Sequence, residues 1–468
     1  MKRSPMFSLP FASRLDAAPN RNRRRLVGWR VPIEAVMMAL MVVGCGESNN
    51  TPWLIPEQNS NTPSSVSSAD PNLPGNRLFP SFSEPADLLS IDEIDLADVA
   101  TGHIAHGNLW GGDAPEIIVS EALLGHVAIL TDCPEVCSIT LLSDGLIRPV
   151  RTIPVDFDND GDLDLLVSDI SNLQSAETIF GQVLWLENLG DGTFETHLVS
   201  DGLGRIACAE PGDLDGDNDL DIVACVFGSI RGEILWFEQL NDGTFAKHTL
   251  DDLPGAIHAF PFDADGDGDL DIAASISQVD EEVALFVNNG TGTFEKTVLH
   301  QSNDPCFGNS GIELADLDGD GDTDIIATNG DQMDDECHFS DAVLEHGIRW
   351  MENDGTGQFT VHPIVYMHAV YAVRTLDMDF DGDRDIIAVR FVHPAFSSRN
   401  EGSNLTWLEN TGGEQFVVHH IENARNTLIA LHVFDYDNNG LEDLFVGSMN
   451  FGVSVSNATR ISVHYRER

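Results

Sequence analysis

The most informative pattern in this chain is Asp316-Leu-Asp-Gly-Asp-Gly-Asp-Thr-Asp324. It places carboxylates at positions 1, 3, 5 and 9 of a nine-residue loop, with Gly321 at position 6. Oxygen ligands at alternate positions, wrapped around a residue that accepts a positive φ, are what a hard cation requires, above all Ca²⁺. The stretch therefore predicts a calcium-binding loop.

The same pattern occurs six times in the chain, and consecutive loops begin 50 to 61 residues apart. Position 6 is Gly in five loops and Asn218 in the other, and Asn is among the residues most willing to adopt a positive φ. We expect about six Ca²⁺ ions per chain. The expected ligands are Asp156, Asp158, Asp160 and Asp164; Asp213, Asp215, Asp217 and Asp221; Asp263, Asp265, Asp267 and Asp271; Asp316, Asp318, Asp320 and Asp324; Asp377, Asp379, Asp381 and Asp385; and Asp435, Asp437, Asn439 and Asp443.

The loops are not EF-hands, because an EF-hand places a bidentate Glu at position 12 between two helices. Here short apolar runs such as Ile325–Ala327 follow position 9 directly, which is typical of strands. A second signature follows the first five loops: a strand such as Val183–Asn188, a Gly-rich turn, and a strand that begins with Phe. Four short antiparallel strands per repeat predict a propeller blade, with the recurring Trp and Phe packed between neighbouring blades.

The two ends of the repeat region complement each other. Asn108–Glu116 is a degraded loop that has lost the acids at positions 3 and 5, so we assign it no metal. Ile461–Tyr465 resembles the third strand of a blade with no fourth strand after it, and Phe82–Leu88 can supply that strand from upstream. The predicted fold is all-β: a seven-bladed β-propeller of four-stranded antiparallel blades over residues 78–468, with an N-terminal strand closing the last blade.

The N-terminus has the layout of an export signal. Several Arg residues precede an apolar run, 35–43, which leads into Gly44 and Cys45. Val42–Cys45 resembles the bacterial lipobox, so we interpret 1–44 as a signal peptide and Cys45 as the lipidation site. An uncleaved anchor and a plain signal peptide are the alternatives. Residues 45–77 are rich in Ser, Asn, Pro and Thr and predict a disordered tether. This predicts a lipid-anchored protein of the bacterial cell envelope, on the outer membrane or the cell surface.

The charge and the cysteine content limit which kinds of partner the protein can have and in which compartment it is found. The formal net charge of −53 argues against nucleic acid and against anionic membranes as partners, so contact with the membrane is expected only through the lipid anchor. Spacing around the loops favours three local disulfides, which suit an exported protein. The expected pairs are Cys133–Cys137, Cys208–Cys225 and Cys306–Cys337. A metal site at Cys133 and Cys137 is the weaker alternative.

The acidic loops, the Trp-Leu-Glu-Asn strands and the Gly-Thr-Phe turns together resemble the FG-GAP/VCBS repeat family, over about residues 80–468. The resemblance implies a seven-bladed, Ca²⁺-binding propeller like that of integrin α subunits. It implies little about activity, because members of the family include adhesins, carbohydrate-active lyases and dehydratases. Fold alone does not give function.

Equivalent positions on the inner strands should ring the central channel, because they share one side of a strand. Two interpretations stay open: a polar axial site with acid–base groups, or a water-filled channel that tolerates polar side chains. The histidines of the outer strands, His197, His248, His362, His419 and His420, are expected to face solvent. The polar residues predicted at the axis are His103, Arg151, Cys208, Glu210, His258, Glu313, Arg374 and His432.

The sequence contains no nucleotide-binding Gly loop, zinc signature or serine-nucleophile elbow, and we assign no catalytic residue. It favours a monomeric, non-enzymatic binding or adhesion module whose Ca²⁺ ions stabilise the fold and whose partner is a protein or a glycan. The alternative is a carbohydrate-active lyase or dehydratase with an axial active site. A purely structural envelope protein is a third possibility.

Overall fold

The structure, a computed structural model, describes most of the repeat region. The described residues are 81–82, 86–90, 99–112, 114–133, 137–172, 179–278, 280–330, 345–392, 403–413, 415–422, 427–450, 459–464 and 466–467. All of them belong to one of two units of the chain, Leu73–Arg468. The other unit, Met1–Asn72, lies outside the described residues, and with it the predicted signal peptide, Cys45 and most of the predicted tether.

The described chain forms antiparallel blades of four strands, of which blades 2 to 6 are separate sheets, whereas blades 1 and 7 are joined where Met449 and Asn450 pair with Ala100 and Val99. Short strands β1 (Ser81–Phe82) and β2 (Ala86–Ser90) come first. Blade 1 is β3 (Val99–Gly107), β4 (Glu116–Glu121), β5 (His126–Thr131) and β6 (Ser138–Leu142); blade 2 is β7 (Pro149–Val155), β8 (Asp164–Asp169), β9 (Gly181–Asn188) and β10 (Phe194–Leu203); blade 3 is β11 (Arg205–Gly212), β12 (Asp221–Phe227), β13 (Glu233–Gln239) and β14 (Phe245–Asp251). Blade 4 is β15 (Ala256–Phe262), β16 (Asp271–Ile276), β17 (Glu282–Asn288) and β18 (Phe294–Gln301); blade 5 is β19 (Asn309–Ala315), β20 (Asp324–Asn329), β21 (Gly347–Asn353) and β22 (Phe359–Tyr366); blade 6 is β23 (Val370–Leu376), β24 (Asp385–Arg390), β25 (Leu405–Asn410) and β26 (Phe416–Glu422).

The last blade combines both ends of the repeat region. It contains β27 (Leu428–Phe434), β28 (Asp443–Asn450) and β29 (Thr459–His464), and its fourth strand is β2, which pairs antiparallel with β29. The predicted closing strand is confirmed, although β2 begins at Ala86 and Phe82 instead pairs with Arg466 of β30 (Arg466–Glu467). The inner strands contact each other in the order β3, β7, β11, β15, β19, β23, β27 and back to β3. The predicted seven-bladed propeller is therefore confirmed.

The core is divided among the interfaces between blades. Each of seven apolar clusters joins side chains of two neighbouring blades. Trp236 of blade 3 meets Phe294 of blade 4 edge-on, with ring centroids 6.1 Å apart. Between blades 7 and 1, Phe445 and Ile461 pack with Ile104. The expectation that the recurring aromatic residues pack between blades is confirmed, and burial at every interface holds the ring together.

A repeated hydrogen bond also joins neighbouring blades. The Nδ2 atom of Asn288, at the end of the third strand of blade 4, donates to the carbonyl of Leu214 in blade 3 at 2.8 Å and to Leu270 of its own blade at 3.0 Å. Asn188, Asn353 and Asn410 donate in the same way to the second loop residue of the preceding blade. We call this contact the inter-blade clasp.

The cysteines only partly follow the prediction. Cys133 and Cys137 form a disulfide, which rules out their use as a metal site. Cys306 is disulfide-bonded, and its predicted partner Cys337 lies outside the described residues. The predicted Cys208–Cys225 bond is wrong: the two residues stand opposite each other on β11 and β12, but both are buried free thiols. The Cys208 Sγ lies along its own strand, 3.6 Å from the Glu210 carboxylate.

No helix in the described part of the chain is long and apolar enough to cross a membrane.

The inter-blade clasp can be tested with Asn288→Ala. The substitution removes three hydrogen bonds of the side chain, to Leu214, Leu270 and Gly290. It leaves the Leu214 carbonyl without this donor, so we expect the free energy of unfolding to fall by about 1–3 kcal/mol. Urea denaturation measures the loss. Gln239→Ala is the matched control, because Gln239 ends the third strand of blade 3 and its side chain makes no hydrogen bond within the described residues. A loss as large in the control would contradict the clasp.

Candidate functional site

The six acidic loops share one backbone conformation. Position 6 has a positive φ in all of them, between 71° at Asn218 and 103° at Gly321. In every loop the carboxylate at position 1 accepts the N–H of position 6, as Asp316 does from Gly321 at 3.1 Å. The side chain at position 5 likewise accepts the N–H of position 7, at 2.9 Å between Asp160 and Asp162. The acidic side chains of positions 1 and 5 thus also hold the backbone of each loop.

Position 4 also has a positive φ in all six loops, which the sequence analysis missed. The signal was readable, because five of the loops have Gly or Asn there: Asn159, Gly216, Gly266, Gly319 and Asn438. The sixth residue is Phe380, whose φ of 64° is strained for a bulky side chain. The Arg466 guanidinium covers its ring, with Cζ 4.7 Å from the centroid.

The carboxylate at position 9 has a structural role of its own. Asp271 is buried, and its two oxygens accept the N–H of Ala264 at 3.0 Å and of Asn288 at 2.7 Å. The same two bonds recur in all six loops. Burial raises the pKa of Asp385 to about 7, and a nearby cation would favour its charged form. A carboxylate has about four lone-pair sites, so the two hydrogen bonds still leave room for a cation. That position 9 also ligates the metal stays a prediction.

The predicted ligands converge as a cation site requires. Ligand atoms lie within 4.8 Å of one another in the clusters Asp156/Asp158/Asp160, Asp213/Asp215/Asp221, Asp263/Asp265/Asp271 and Asp316/Asp318/Asp320. The Oδ1 atoms of Asp156 and Asp377 are buried and have no hydrogen-bond partner within the described residues. A buried carboxylate oxygen without a donor is costly unless a cation lies beside it. These loops therefore fit a metal ion.

The degraded loop of blade 1 is closed differently. Glu116 takes the role of position 9 and accepts the N–H of Leu109 at 2.7 Å. Both amide atoms of Asn108 bond the backbone of Gly112, at 2.9 and 3.0 Å. Asn108 and Glu116, the remaining polar residues at positions 1 and 9, are thus used to hold the loop itself.

Four of the outer-strand histidines are not simply solvent-facing, contrary to expectation. His197 stacks on Trp185, with ring centroids 4.6 Å apart, and its Nε2 lies 2.6 Å from Glu187. The same Trp–His–Glu group occurs in blades 3, 5 and 6. The Trp185 indole also donates to Asp164 at 2.9 Å. A hairpin residue therefore supports the position-9 carboxylate, whereas His420 is exposed as expected.

At the propeller axis the structure brings the predicted charged residues together as two ion pairs. Arg151 of blade 2 pairs with Glu210 of blade 3, and its guanidinium lies 5.0 Å from the centroid of the Phe260 ring. Arg374 of blade 6 pairs with Glu313 of blade 5 at 2.9 Å. Each pair joins neighbouring blades. Within each pair, the guanidinium and the carboxylate compensate each other's buried charge.

The axial histidines are held as neutral rings. The Nδ1 of His103 donates to the carbonyl of Thr152 at 3.1 Å, whereas the Nδ1 of His258 accepts the N–H of Ile312 at 3.1 Å. Burial, reinforced by Arg151 and Arg374, holds the pKa of both well below the usual value. His432 bonds His106 at 2.7 Å, and burial, together with Arg374, holds its pKa well below the usual value as well.

A cavity of about 190 Å³ lies at the axis, at the end of the inner strands away from the acidic loops. His103, Arg151, His258 and Arg374 line it. Its remaining wall includes one further residue from each inner strand: Gly102, Val150, Ala207, Ile257, Ser310, Tyr371 and Ile429. Strict alternation along a strand turns these seven residues away from the axis, so the sequence did not predict them in the cavity wall.

A bulge explains the difference. The pairing register of every inner strand shifts at the same place, for example between Pro149 and Arg151, and the residue skipped by the shift is the one that lines the cavity. A bulge breaks the alternation of side chains and re-aims one residue. No residue pattern in the sequence marks these bulges.

The fold and the loops define a β-propeller with acidic, cation-fitting turns. The sequence profile of the FG-GAP-like repeat matches residues 151–224 and 263–327. The chain is a β-propeller protein that carries FG-GAP-like repeats, which agrees with the resemblance seen in the sequence.

Solved structures similar to this chain include those of two other proteins. One is BBS1N in complex with ARL6DN, soaked with lead: 12% identity, TM-score 0.48, covering 81% of this chain and 96% of that one. The other is the α-L-arabinofuranosidase Arb93A from Fusarium graminearum with an iminosugar inhibitor: 10% identity, TM-score 0.40, covering 67% and 92%. No curated protein matches the chain.

Proposed function

We propose that this protein is an exported, lipid-anchored propeller that binds Ca²⁺ in six loops and presents its surface to a protein or glycan partner. The observation that carries the proposal is the set of six loops of one backbone conformation, four of which bring three carboxylates within 4.8 Å of one another. All the predicted ligands are oxygens, which favours Ca²⁺ over a transition metal. The acidic surface favours a basic or uncharged partner.

Calcium binding would stabilise the fold. The loops gather carboxylates that repel one another, and a cation that binds only the folded state adds about 2.7 kcal/mol per site when its concentration is 100 times the Kd. Because the position-9 carboxylate bonds both the loop and the third strand, this stabilisation would reach the body of each blade.

Metal analysis and thermal melts test this part of the proposal. We expect about six Ca²⁺ per chain and a melting temperature that falls when a chelator is added. Asp267→Ala should lower the stoichiometry by one, because it removes the position-5 ligand of the blade 4 loop. Asn108→Ala in the degraded loop is the control and should leave the stoichiometry unchanged. No bound Ca²⁺, with a melt unaffected by chelator, would refute the calcium assignment.

Anchoring at Cys45 is tested by Cys45→Ser. We expect the native chain in the membrane fraction and the variant released into the soluble fraction, because a serine at position 45 cannot carry the lipid whose buried acyl chains hold the protein at the membrane. The released variant is then a probe for glycan and protein arrays, and its binding should disappear when chelator unfolds the loops. A variant that stays in the membrane fraction would show that another segment holds the chain there.

A second candidate is a carbohydrate-active lyase or dehydratase with an axial active site, favoured by the convergence of His103, Arg151, His258 and Arg374 on one cavity. If it is right, a polysaccharide screen should detect unsaturated products, and His258→Ala should abolish them while the melting temperature of the folded chain is retained. The exposed His420→Ala is the matched control. Turnover that survives His258→Ala would exclude the axial site as its source.

A further inference from the structure

The wall of the axial cavity is mostly apolar. Apart from Ser310 and Tyr371, the seven bulge residues of the wall have hydrocarbon side chains or none, and Ala100, Ala122 and Met449 extend the same surface. The hydroxyl of Ser310 is already used, because it lies 3.0 Å from the Val370 carbonyl, to which it donates, and 2.9 Å from the Thr328 hydroxyl. At about 190 Å³ the cavity is smaller than drug-sized sites of about 300–1,000 Å³. It fits a small molecule with an apolar body.

The polar end of the cavity offers hydrogen-bond donors that the protein does not use. Arg151 bonds Glu210 only through Nε, so within the described residues both terminal nitrogens of its guanidinium lack a partner. Arg374 uses Nη1 for Glu313 and for the Val373 carbonyl, and its Nη2 has no partner among those residues. A planar fork of unused N–H groups matches a carboxylate.

The charges are arranged to favour an anion. Arg151 and Arg374 line the cavity, whereas their partners Glu210 and Glu313 do not, and none of the described lining residues is acidic. Each ion pair therefore turns its positive end toward the cavity and its negative end away from it. Arg205 also lines the cavity, with its Nε donating to the Asn172 carbonyl at 2.8 Å. An anion placed there meets the guanidinium groups of Arg151 and Arg374 at low local dielectric.

The two histidines add one donor and one acceptor. His258 accepts a backbone N–H at Nδ1, so its neutral ring carries the proton on Nε2. His103 donates from Nδ1 to a carbonyl, so its Nε2 is an acceptor. Gly311 leaves room for the His258 ring, because a Cβ there would lie 2.8 Å from its Cε1. Neither Nε2 has a partner within the described residues.

We propose that the axial cavity binds a small hydroxycarboxylate with an apolar body. The carboxylate lies between Arg151 and Arg374, with His258 donating to it, and the hydroxyl donates to His103. The apolar body contacts the bulge residues. This inference does not depend on the identity of the partner bound by the propeller surface, nor on any turnover at the axis.

Calorimetry on the full chain with added Ca²⁺ tests the proposal with mandelate as the probe. We expect mandelate to bind with a Kd of about 1 mM or tighter. Phenylacetate, which lacks the hydroxyl, should bind about tenfold more weakly, since one hydrogen bond to His103 is lost. Mandelamide, which lacks the charge, and inorganic phosphate, which lacks the body, should show no competition.

Two variants connect the binding to the cavity. His103→Phe should make mandelate and phenylacetate equal in affinity, because the acceptor for the hydroxyl is gone. Ala372→Leu fills the cavity without altering a charged group and should abolish binding; Ala246→Leu on the outer strand β14 is its control. A thermal melt with Ca²⁺ verifies that each variant is folded.

Several results would overturn the proposal. Absence of mandelate binding is one, and equal binding of mandelamide or phosphate is another. Binding that survives Ala372→Leu would place the ligand elsewhere. A stoichiometry other than about six Ca²⁺ per chain would refute the calcium proposal only. The comparison of mandelate with the other ligands tests the axial cavity independently of that result.

Discussion

A buried carboxylate at the ninth position of each acidic loop is the contact on which the rest of the blade depends. It accepts one N–H from the loop and one from the third strand, as Asp271 does from Ala264 and Asn288. A charge in that position is expensive unless donors or a cation compensate it. The loop and the third strand are therefore joined through one buried carboxylate, and the repeat is defined by this contact as well as by its apolar residues.

The same unit extends from blade to blade. The strand residue that donates its N–H to the ninth-position carboxylate also places its side chain on the loop of the preceding blade, as Asn288 does on Leu214. In the last blade, where no Asn is available, the Arg466 guanidinium reaches the carbonyls of Asp377 and Met378 at 3.1 and 2.6 Å. The ring is thus closed by apolar burial between blades and by polar contacts at the loop end, and an Arg replaces the Asn where the termini meet.

Residue spacing was enough to predict the repeated elements of the fold, whereas contacts that depend on tertiary geometry were missed. Period-two alternation and the nine-residue loops predicted the strands, the blades and the closing strand, because each is a local pattern repeated along the chain. Alternation misplaced the cavity wall, because a bulge before His103, Arg151 and their equivalents reverses it. Symmetry about a loop placed Cys208 opposite Cys225 but could not show that both stay free thiols, with the Cys208 Sγ 3.6 Å from the Glu210 carboxylate.

The loops and the axial cavity lie at opposite ends of the same inner strands, so one structure serves both. Five residues separate Arg151 from Asp156, which is roughly 17 Å along an extended strand. Both axial ion pairs cross a blade interface, since Arg151 reaches Glu210 and Arg374 reaches Glu313. The positions of the guanidinium groups in the cavity are therefore set by how neighbouring blades are held together. Because the loop end supplies part of that restraint, cations bound there would help to keep the axial site in register, although none of their ligands lines it.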